Sequence, residues 1–389
     1  MAKLIDITGK ALSGEWGSED VSGQGIPILR TTNFTNEGTI DYSSVVTRTV
    51  TKKNIRDKFL KNGDIIIEKS GGSDKQPVGR VVYFDSIENK YLFNNFTGLL
   101  RVKDKNKWLP KYVFYSLFSA YKQGKTKYFE NRTTGLHNLQ TDSYIKNLEI
   151  KDVPIHVQQK ECDILDNICG QVMLRKKQLS QYDQIVNARF IEMFGDPSVN
   201  PKGWPLRKLG NLGELNRGVS KHRPRNAPEL LGGIYPLIQT GDVANSATYI
   251  SGYTSTYSEL GLKQSRMWPK GTLCITIAAN IAKTGILDFD ACFPDSVVGF
   301  IPDKIVDTLY IHYWFSFFQK ILEEQAPQSA QKNINLKILR DLNVMVPPYG
   351  LQEQFINFVY QVNKSKSAIQ KSLDETQTLF NSLMQEYFG

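Results

Sequence analysis

Two long stretches of the 389-residue chain repeat one another. The first runs from 157 to 194 and the second from 351 to 388, and their ends superpose as Met193-Phe194-Gly195 on Tyr387-Phe388-Gly389. Neither stretch contains proline, and hydrophobic residues recur every three or four positions along both. An apolar stripe of that period predicts a long helix that buries one narrow face against a partner helix.

The apolar residues of the two stretches define a predicted helix–helix seam. Its members are Leu165, Ile168, Val172, Leu179, Tyr182, Val186 and Met193 in the first copy, and Phe355, Val359, Val362, Ile369, Leu373, Phe380, Leu383 and Tyr387 in the second. At 1.5 Å per residue each helix would be roughly 58 Å long, which is more than a compact domain needs. We interpret the pair as a spacer. Two similar units of domain plus helix predict a pseudo-twofold axis, which makes the helices an antiparallel coiled coil.

The segments that precede the two helices also resemble one another. The matching segments are 26–31 with 235–240, 62–67 with 270–275, 78–81 with 284–287, and 97–100 with 298–301. The matches are mostly apolar residues and turn glycines, whereas the polar residues between them differ. Short β-rich runs broken by Gly and Asn predict mixed α/β domains dominated by a twisted sheet. The predicted fold class is therefore α+β, with domains at 1–154 and 196–349 and spacer helices at 155–195 and 350–389.

Positive charge is concentrated in the two predicted domains. The whole chain carries 48 Lys and Arg against 39 Asp and Glu, a net charge of +9. Segment 1–154 holds 24 basic against 17 acidic residues, and 196–349 holds 16 against 13, whereas the two helices are close to neutral. An excess of this sign favours a polyanionic partner, and it places phosphate contacts on the domains rather than on the spacer.

The cysteines and the apolar stretches favour a cytoplasmic protein. Cys162, Cys169, Cys274 and Cys292 form no Cys-x-x-Cys pair, and the four histidines lie apart from them. This pattern argues against structural zinc and against a disulfide framework. The first ten residues carry charges where a signal peptide needs an apolar run. The most apolar stretches, 112–121 and 309–318, are too short to span a bilayer and are interpreted as domain core.

Several short strings carry a family resemblance. They are Phe194-Gly195-Asp196-Pro197, Gly203-Trp204-Pro205, Lys208-Leu209-Gly210, Gly63-Asp64-Ile65, and Gln331-Lys332-Asn333-Ile334-Asn335 followed by Val346-Pro347-Pro348. In that order within a duplicated chain they resemble the specificity subunits of type I restriction–modification enzymes. The resemblance implies two target-recognition domains, each gripping one half of a bipartite double-stranded DNA site. It also implies that two methyltransferase subunits, which would hold S-adenosylmethionine, and restriction/translocase subunits bind this chain.

No complete catalytic motif is present in the sequence. Val346-Pro347-Pro348-Tyr349 resembles the Pro-Pro-Tyr of adenine methyltransferases, but Val stands where that motif needs Asp, Asn or Ser. Gly124-Lys125-Thr126 lacks the first glycine of a phosphate-binding loop, since position 119 is Ser. We therefore expect a non-catalytic subunit without a cofactor of its own. The alternatives are a specificity half with its own catalysis and a coiled-coil scaffold that binds only protein partners.

Loop residues that donate to phosphates or base edges are the candidate DNA contacts. Arg and Lys pair with guanine, and Asn and Gln pair with adenine. The candidates are Arg30, Thr31, Asn33, Lys69, Ser70, Lys75, Asn131 and Arg132 in the first domain, and Arg217, Lys221, Arg223, Arg225, Gln239, Thr240, Asn280 and Lys283 in the second.

Overall fold

The chain forms two compact units in the computed structural model. Unit 1 comprises Met1–Lys176 with Lys371–Gly389, and unit 2 comprises Lys177–Gln370. The structure describes residues 1–52, 54–74, 76–133, 136–278, 281–318 and 334–389, apart from the side chains at 132, 133 and 136.

Unit 1 is a mixed α/β body. Its helices are α1 (Leu4–Thr8), α2 (Pro110–Lys122), α3 (Thr141–Asn147) and the first part of α4 (Ile155–Phe194). Its strands are β1 (Ala2–Lys3), β2 (Leu12–Ser13), β3 (Ser18–Glu19), β4 (Ile26–Leu29), β5 (Val46–Thr49), β6 (Asp64–Glu68), β7 (Ser70–Gly72), β8 (Val81–Phe84), β9 (Leu92–Phe93), β10 (Thr97–Leu100), β11 (Glu130–Thr133), β12 (Leu136–Leu139) and β13 (Glu149–Ile150).

Every residue of strand β6 is buried, and the strand lies between β10 and β8 in its sheet. The larger sheets have the orders β2-β10-β6-β8 and β3-β5-β4-β9, and a third sheet has the order β11-β12-β7. Helix α2 covers the first sheet, with Tyr112 and Val113 fully buried. The aromatic run 112–121 is therefore domain core, as predicted.

Unit 2 repeats this plan. Its strands are β14 (Leu206–Lys208), β15 (Gly213–Arg217), β16 (Leu231–Leu237), β17 (Tyr249–Ile250), β18 (Ser255–Tyr257), β19 (Met267–Trp268), β20 (Leu273–Thr276), β21 (Thr284–Leu287), β22 (Ala291–Cys292), β23 (Val297–Pro302) and β24 (Asn343–Met345). Its helices are α5 (Thr240–Asn245), α6 (Glu259–Lys263), α7 (Thr308–Phe315), α8 (Leu336–Asp341) and the first part of α9 (Tyr349–Phe388). Its sheets have the orders β15-β23-β20-β21-β17 and β18-β16-β22-β19.

The strand registers correct two of the predicted matches between the halves. Ile65 faces Tyr83 and Leu100, and its counterpart Leu273 faces Ile286 and Phe300. Segment 78–81 therefore does not match 284–287, and 97–100 matches 297–300 rather than 298–301. The prediction failed because it aligned glycines, and similar glycines have different roles here. Gly79 lies before β8 with φ +103°, whereas Gly285 lies within β21.

Each unit contains a packed pair of long-helix segments. In unit 1, Leu165 and Ile168 of α4 share a core with Phe380 of α9, and Arg175 Nη1 donates to Thr376 Oγ1 over 2.6 Å. In unit 2, Val186 of α4 shares a core with Phe355 and Val359. Of the other seam residues, Val172, Met193, Val362 and Leu373 are buried, and Leu179, Tyr182, Ile369, Leu383 and Tyr387 are partly buried.

A buried glutamine fixes the start of each long helix. Gln158 accepts the Leu109 N–H over 2.9 Å and donates to the carbonyls of Lys107 and Val153, both over 2.9 Å. Gln352 repeats the arrangement. It accepts the Asp307 N–H over 3.1 Å and donates to the carbonyls of Ile305 and Pro347. Both side chains are fully buried, so each joins its helix to the loop before the aromatic helix of its own unit.

The histidine of α7 in unit 2 makes the stability of the protein depend on pH. Burial lowers the pKa of His312 on α7 to about 4. Histidine in the unfolded chain titrates near 6.5, so below that pH the unfolded chain binds a proton at His312 more readily than the folded chain does. The contribution of His312 to the free energy of unfolding is therefore complete above pH 6.5 and is lost as the pH falls toward 4. Helix α2 is the equivalent helix of unit 1, because Gln158 and Gln352 accept the N–H group just before α2 and α7 respectively. The residue of α2 that matches His312 is Phe114.

We expect His312→Phe to remove this part of the pH dependence. Between pH 7 and 4.5 the free energy of unfolding of the wild-type chain should fall by roughly 2–3 kcal/mol more than that of the variant. Urea titrations at several pH values measure the difference. The contributions of the carboxylates to the pH dependence are common to both proteins and therefore cancel. Identical pH profiles for the two proteins would contradict the assignment.

Within the described ranges, none of the helices is both long and apolar enough to cross a membrane.

Candidate nucleic-acid interface

In unit 1 the end of β4 presents the first candidates at the surface. Arg30 and Thr31 are partly exposed where the strand ends. Asn33 is different, because it is fully buried. Its Oδ1 accepts the Arg30 N–H over 2.9 Å, and its Nδ2 donates to the Asp41 carbonyl over 3.0 Å. The prediction that Asn33 contacts DNA is therefore corrected: its side chain holds the loop that presents Arg30.

The turn at 94–96 brings the next candidates beside this loop. The Asn94 N–H donates to the Leu29 carbonyl over 3.0 Å, and the Lys69 and Ser70 N–H groups both donate to the Phe96 carbonyl. Lys69 and Ser70 are partly exposed. Lys69 Nζ donates to Ser13 Oγ over 3.1 Å, and burial together with the Lys58 charge lowers its pKa. The ends of β4 and β6 thus form one continuous edge.

The three-stranded sheet extends this edge. Ser70 pairs with Asn138 across β7 and β12, and Asn138 pairs with Asn131 across β12 and β11. Asn131 is exposed. Arg132 lies on β11 beside it, but its side chain lies outside the described part of the structure, as does Lys75.

A buried ion pair between Arg80 and Glu68 supports the loop that follows β4. Arg80 Nε and Nη2 donate to the two carboxylate oxygens of Glu68 over 3.0 and 2.9 Å. The same guanidinium donates to the carbonyls of Phe34 over 3.3 Å and Thr31 over 3.1 Å. Burial opposes the charged form of Arg80, but the hydrogen bonds and the charge of Glu68 outweigh it and raise its pKa. The sequence prediction missed this pair.

Phe96 is a second residue that the sequence prediction missed. Its side chain is 52% exposed, although it lies between the loops of Arg30 and Lys69. An exposed aromatic ring in such a position is suited to an apolar contact with a thymine methyl group in the major groove. The available signal was an aromatic residue in an asparagine-rich turn, Asn94-Asn95-Phe96.

Unit 2 presents its candidates on the equivalent edge. Gln239 is exposed where β16 ends, and its N–H donates to Asp242 Oδ2 over 2.8 Å. Asp242 therefore takes the role that Asn33 has in unit 1. Thr240 follows and is partly exposed. The Ile238 N–H donates to the Cys292 carbonyl, which places the turn at 294–296 beside this loop.

The basic loop of unit 2 is fixed by contacts of its own. Lys221 and His222 donate their N–H groups to Gln264 Oε1 over 2.7 and 3.1 Å. Arg223 and Arg225 lie 3.6 and 2.5 Å from the Asp295 carboxylate, which neutralises part of their charge.

Two more candidates in unit 2 are exposed. Arg217 lies at the end of β15, and Lys283 lies before β21. Asn280 lies outside the described residues. In each unit several of the described candidates thus lie at the ends of strands that match between the units, but with different side chains.

The chain matches one family over most of its length. The family described as the type I restriction modification DNA specificity domain matches twice, at residues 4–182 and 201–376. The specificity subunit of the type I restriction enzyme EcoBI of Escherichia coli is 22% identical over 261 residues, 60% of this chain and 55% of that protein. A putative type I specificity subunit of Mycoplasma pneumoniae is 28% identical over 136 residues, 32% of this chain and 40% of that protein. The alignments thus span about half the length of these curated relatives, or less.

Solved structures share the fold. The type I restriction–modification S subunit from M. genitalium matches 100% of this chain and 95% of its own, with a TM-score of 0.57 and 14% identity. A chain from a study of complex assembly and conformational transition of the type I system matches 100% of this chain and 96% of its own, with a TM-score of 0.55 and 14% identity.

Proposed function

The chain belongs to the type I restriction modification DNA specificity family, and from that premise we propose that it reads a split, asymmetric DNA sequence without catalysing a reaction. Segments 1–154 and 196–349 are the two reading domains in this proposal, and 155–195 and 350–389 are the spacer. The observation that carries the proposal is the pair of equivalent surface edges, one in each unit, built on the same strands with different polar side chains.

The differences between the edges fall where base contacts would be made. Arg30 at the end of β4 corresponds to Gln239 at the end of β16. A guanidinium pairs with the major-groove edge of guanine, and a carboxamide pairs with that of adenine. Phe96 corresponds to Ser296, so the apolar contact that Phe96 offers is not repeated at the matching position of unit 2. Two unlike edges favour two unlike half-sites.

The remaining polar candidates complete each edge in this proposal. They are Thr31, Lys69, Ser70, Lys75, Asn131 and Arg132 in unit 1, and Arg217, Lys221, Arg223, Arg225, Thr240, Asn280 and Lys283 in unit 2. Lys and Arg residues of this set supply the charge that neutralises phosphates and releases counterions, which makes affinity depend on salt.

We further propose that α4 and α9 form one antiparallel coiled coil that fixes the gap between the half-sites. Two polar pairs support this pairing. Arg175 meets Thr376 in unit 1, and Asp183 meets Lys366 over 2.5 Å in unit 2. From the first pair to the second, the position on α4 advances by eight residues whereas the position on α9 goes back by ten, as antiparallel helices require. Polar groups within a coiled-coil seam specify its register.

Catalysis in this proposal belongs to partner proteins. Two methyltransferase subunits that hold S-adenosylmethionine and restriction/translocase subunits would assemble on the chain. Val346 stands where an adenine methyltransferase motif needs a polar residue, which supports the absence of methyl transfer by this chain itself.

Selection of duplexes from a random pool by the full-length chain tests this function. We expect a split motif with a fixed gap, bound at least about a thousandfold more tightly than random duplex at physiological salt. The selection is run with and without added methyltransferase subunits, and methylated adenines should fall within the same motif. Enrichment of no sequence in either arm would leave the scaffold alternative. Binding of S-adenosylmethionine by the isolated chain would instead favour a subunit with its own catalysis.

A further inference from the structure

We propose that Arg80 sets DNA recognition by unit 1 without touching the DNA, whereas Lys283, at the same position of unit 2, contacts the DNA itself. The inference rests on the proposed function. It assigns Arg80 as a positioning residue, which acts through the loop that presents Arg30.

The strand registers establish that the two positions are equivalent. The Glu68 N–H donates to the Arg80 carbonyl over 2.8 Å, and the Thr276 N–H donates to the Lys283 carbonyl over 2.9 Å. One residue further along, Ile67 faces Val81 and Ile275 faces Thr284. Position 80 therefore corresponds to 283, and position 68 to 276.

The contacts of Arg80 point inward. Its side chain is 13% exposed and that of Glu68 is 1% exposed. Nε, Nη1 and Nη2 all donate to groups of unit 1, namely the Glu68 carboxylate and the carbonyls of Phe34 and Thr31. The guanidinium is thus committed to holding the loop at both ends.

The same loop carries the groups proposed to meet the DNA. Thr31 is itself a candidate contact, and Arg30 precedes it. Base readout requires a donor pair held in place, because a contact that is loose by about 1 Å loses its discrimination. Asn33 accepts the backbone N–H of Arg30, and Arg80 holds the carbonyls of the following residues Thr31 and Phe34. Loss of the Arg80 contacts releases the carbonyls of Thr31 and Phe34, and leaves the loop of Arg30 held by Asn33 and by the Ser44 carbonyl, which accepts from Arg30 Nη2 over 3.3 Å.

The described residues of unit 2 show no such clamp. Thr276 replaces Glu68, and its hydroxyl accepts the Lys283 backbone N–H over 3.1 Å. There is thus no carboxylate at this position to hold the Lys283 ammonium, and Lys283 is exposed. The loop at 239–242 is held by Asp242, which also accepts from Thr254 over 3.3 Å. An exposed ammonium on this edge is suited to a phosphate contact.

Four variants of the full-length chain separate the two roles. The double variant Glu68→Leu with Arg80→Met replaces the ion pair by apolar side chains of similar size and leaves no buried charge without a partner. Arg80→Lys keeps the charge but cannot make the forked contacts. Lys283→Gln removes the proposed phosphate contact, and Lys283→Arg should restore it.

Competition binding against every single-base change of the selected motif, repeated over a range of salt concentrations, is the test. For both Arg80 variants we expect discrimination to fall about tenfold or more at bases of one half-site. The other half-site and the salt dependence should stay unchanged. For Lys283→Gln we expect uniformly weaker binding, unchanged base preference, and a slope of log K against log salt that is smaller by about one.

The opposite results overturn the inference. If both Arg80 variants keep the discrimination, Arg80 does not position the loop, and a smaller salt slope in the double variant would make Arg80 itself a phosphate contact. If Lys283→Gln keeps the wild-type slope, Lys283 does not contact the DNA. Circular dichroism melting shows whether each variant folds. If the double variant does not fold, the discrimination measured for Arg80→Lys decides whether Arg80 positions the loop. If the wild-type chain shows no sequence preference, the proposed function itself is wrong. This result differs from a failure of the Arg80 inference, in which the wild-type chain still selects a motif.

Discussion

Gln352→Leu is expected to lower the free energy of unfolding of unit 2 by roughly 3 kcal/mol or more. Leucine has a similar size, but it leaves the Asp307 N–H and the carbonyls of Ile305 and Pro347 buried without the glutamine that now pairs them. Each unsatisfied buried group costs about 1–3 kcal/mol. For a body of this size the midpoint of thermal unfolding should fall by roughly 6–12 °C.

Gln354→Leu is the matched control. Gln354 is exposed two residues further along the same helix, so its substitution should change stability by less than about 0.5 kcal/mol. Calorimetry or urea titration followed by circular dichroism measures both variants. Gln158→Leu should repeat the effect in unit 1. Melting of Gln352→Leu at the wild-type temperature would mean that the three hydrogen bonds contribute no net stability.

Removal of one heptad from both long helices is expected to abolish binding of the natural DNA site. Deletion of 176–182 together with 368–374 keeps the phase of the apolar seam in each helix. It also retains the Arg175–Thr376 and Asp183–Lys366 pairs on either side. In the proposed coiled coil the reading domains would approach by about 10 Å, or roughly three base pairs. Three base pairs also turn the duplex by about 100°.

Affinity for the original motif should therefore fall to the non-specific level, a loss of roughly 10³-fold or more. Selection from a random pool should return the same two half-sites with a gap shorter by about three base pairs. A control that replaces 176–182 by the sequence of the equivalent segment 370–376 keeps the length and should keep the gap. An unchanged gap in the double deletion would show that the helices do not set the spacing.

The long helices could be predicted from sequence because the signal is local. Hydrophobic residues three and four positions apart lie on one face of a helix whatever surrounds it. The segments 157–194 and 351–388 accordingly lie within Ile155–Phe194 and Tyr349–Phe388. The equivalence of Arg30 and Gln239 was also predicted, since the strands that precede them share an apolar pattern.

Features that depend on distant residues could not be predicted in the same way. Gln158 and Gln352 were aligned as a matching pair, but nothing in either helix shows that the side chain meets a loop some 50 residues away. Asn33 and Arg30 were grouped by residue type, although the fold buries Asn33 fully and leaves Arg30 partly exposed. Glu68 and Arg80 form their ion pair only because β6 and β8 are neighbours, which is a property of the sheet order.

The discontinuous composition of unit 1 has a consequence for folding during synthesis. Residues 177–370 form unit 2 from one continuous segment, whereas unit 1 needs Lys371–Gly389 in addition to Met1–Lys176. Phe380 and Met384, which complete the unit 1 core, are translated after all of unit 2. The half of the protein that leaves the ribosome first is therefore the half that is finished last, and in the interval its apolar surface stays uncovered.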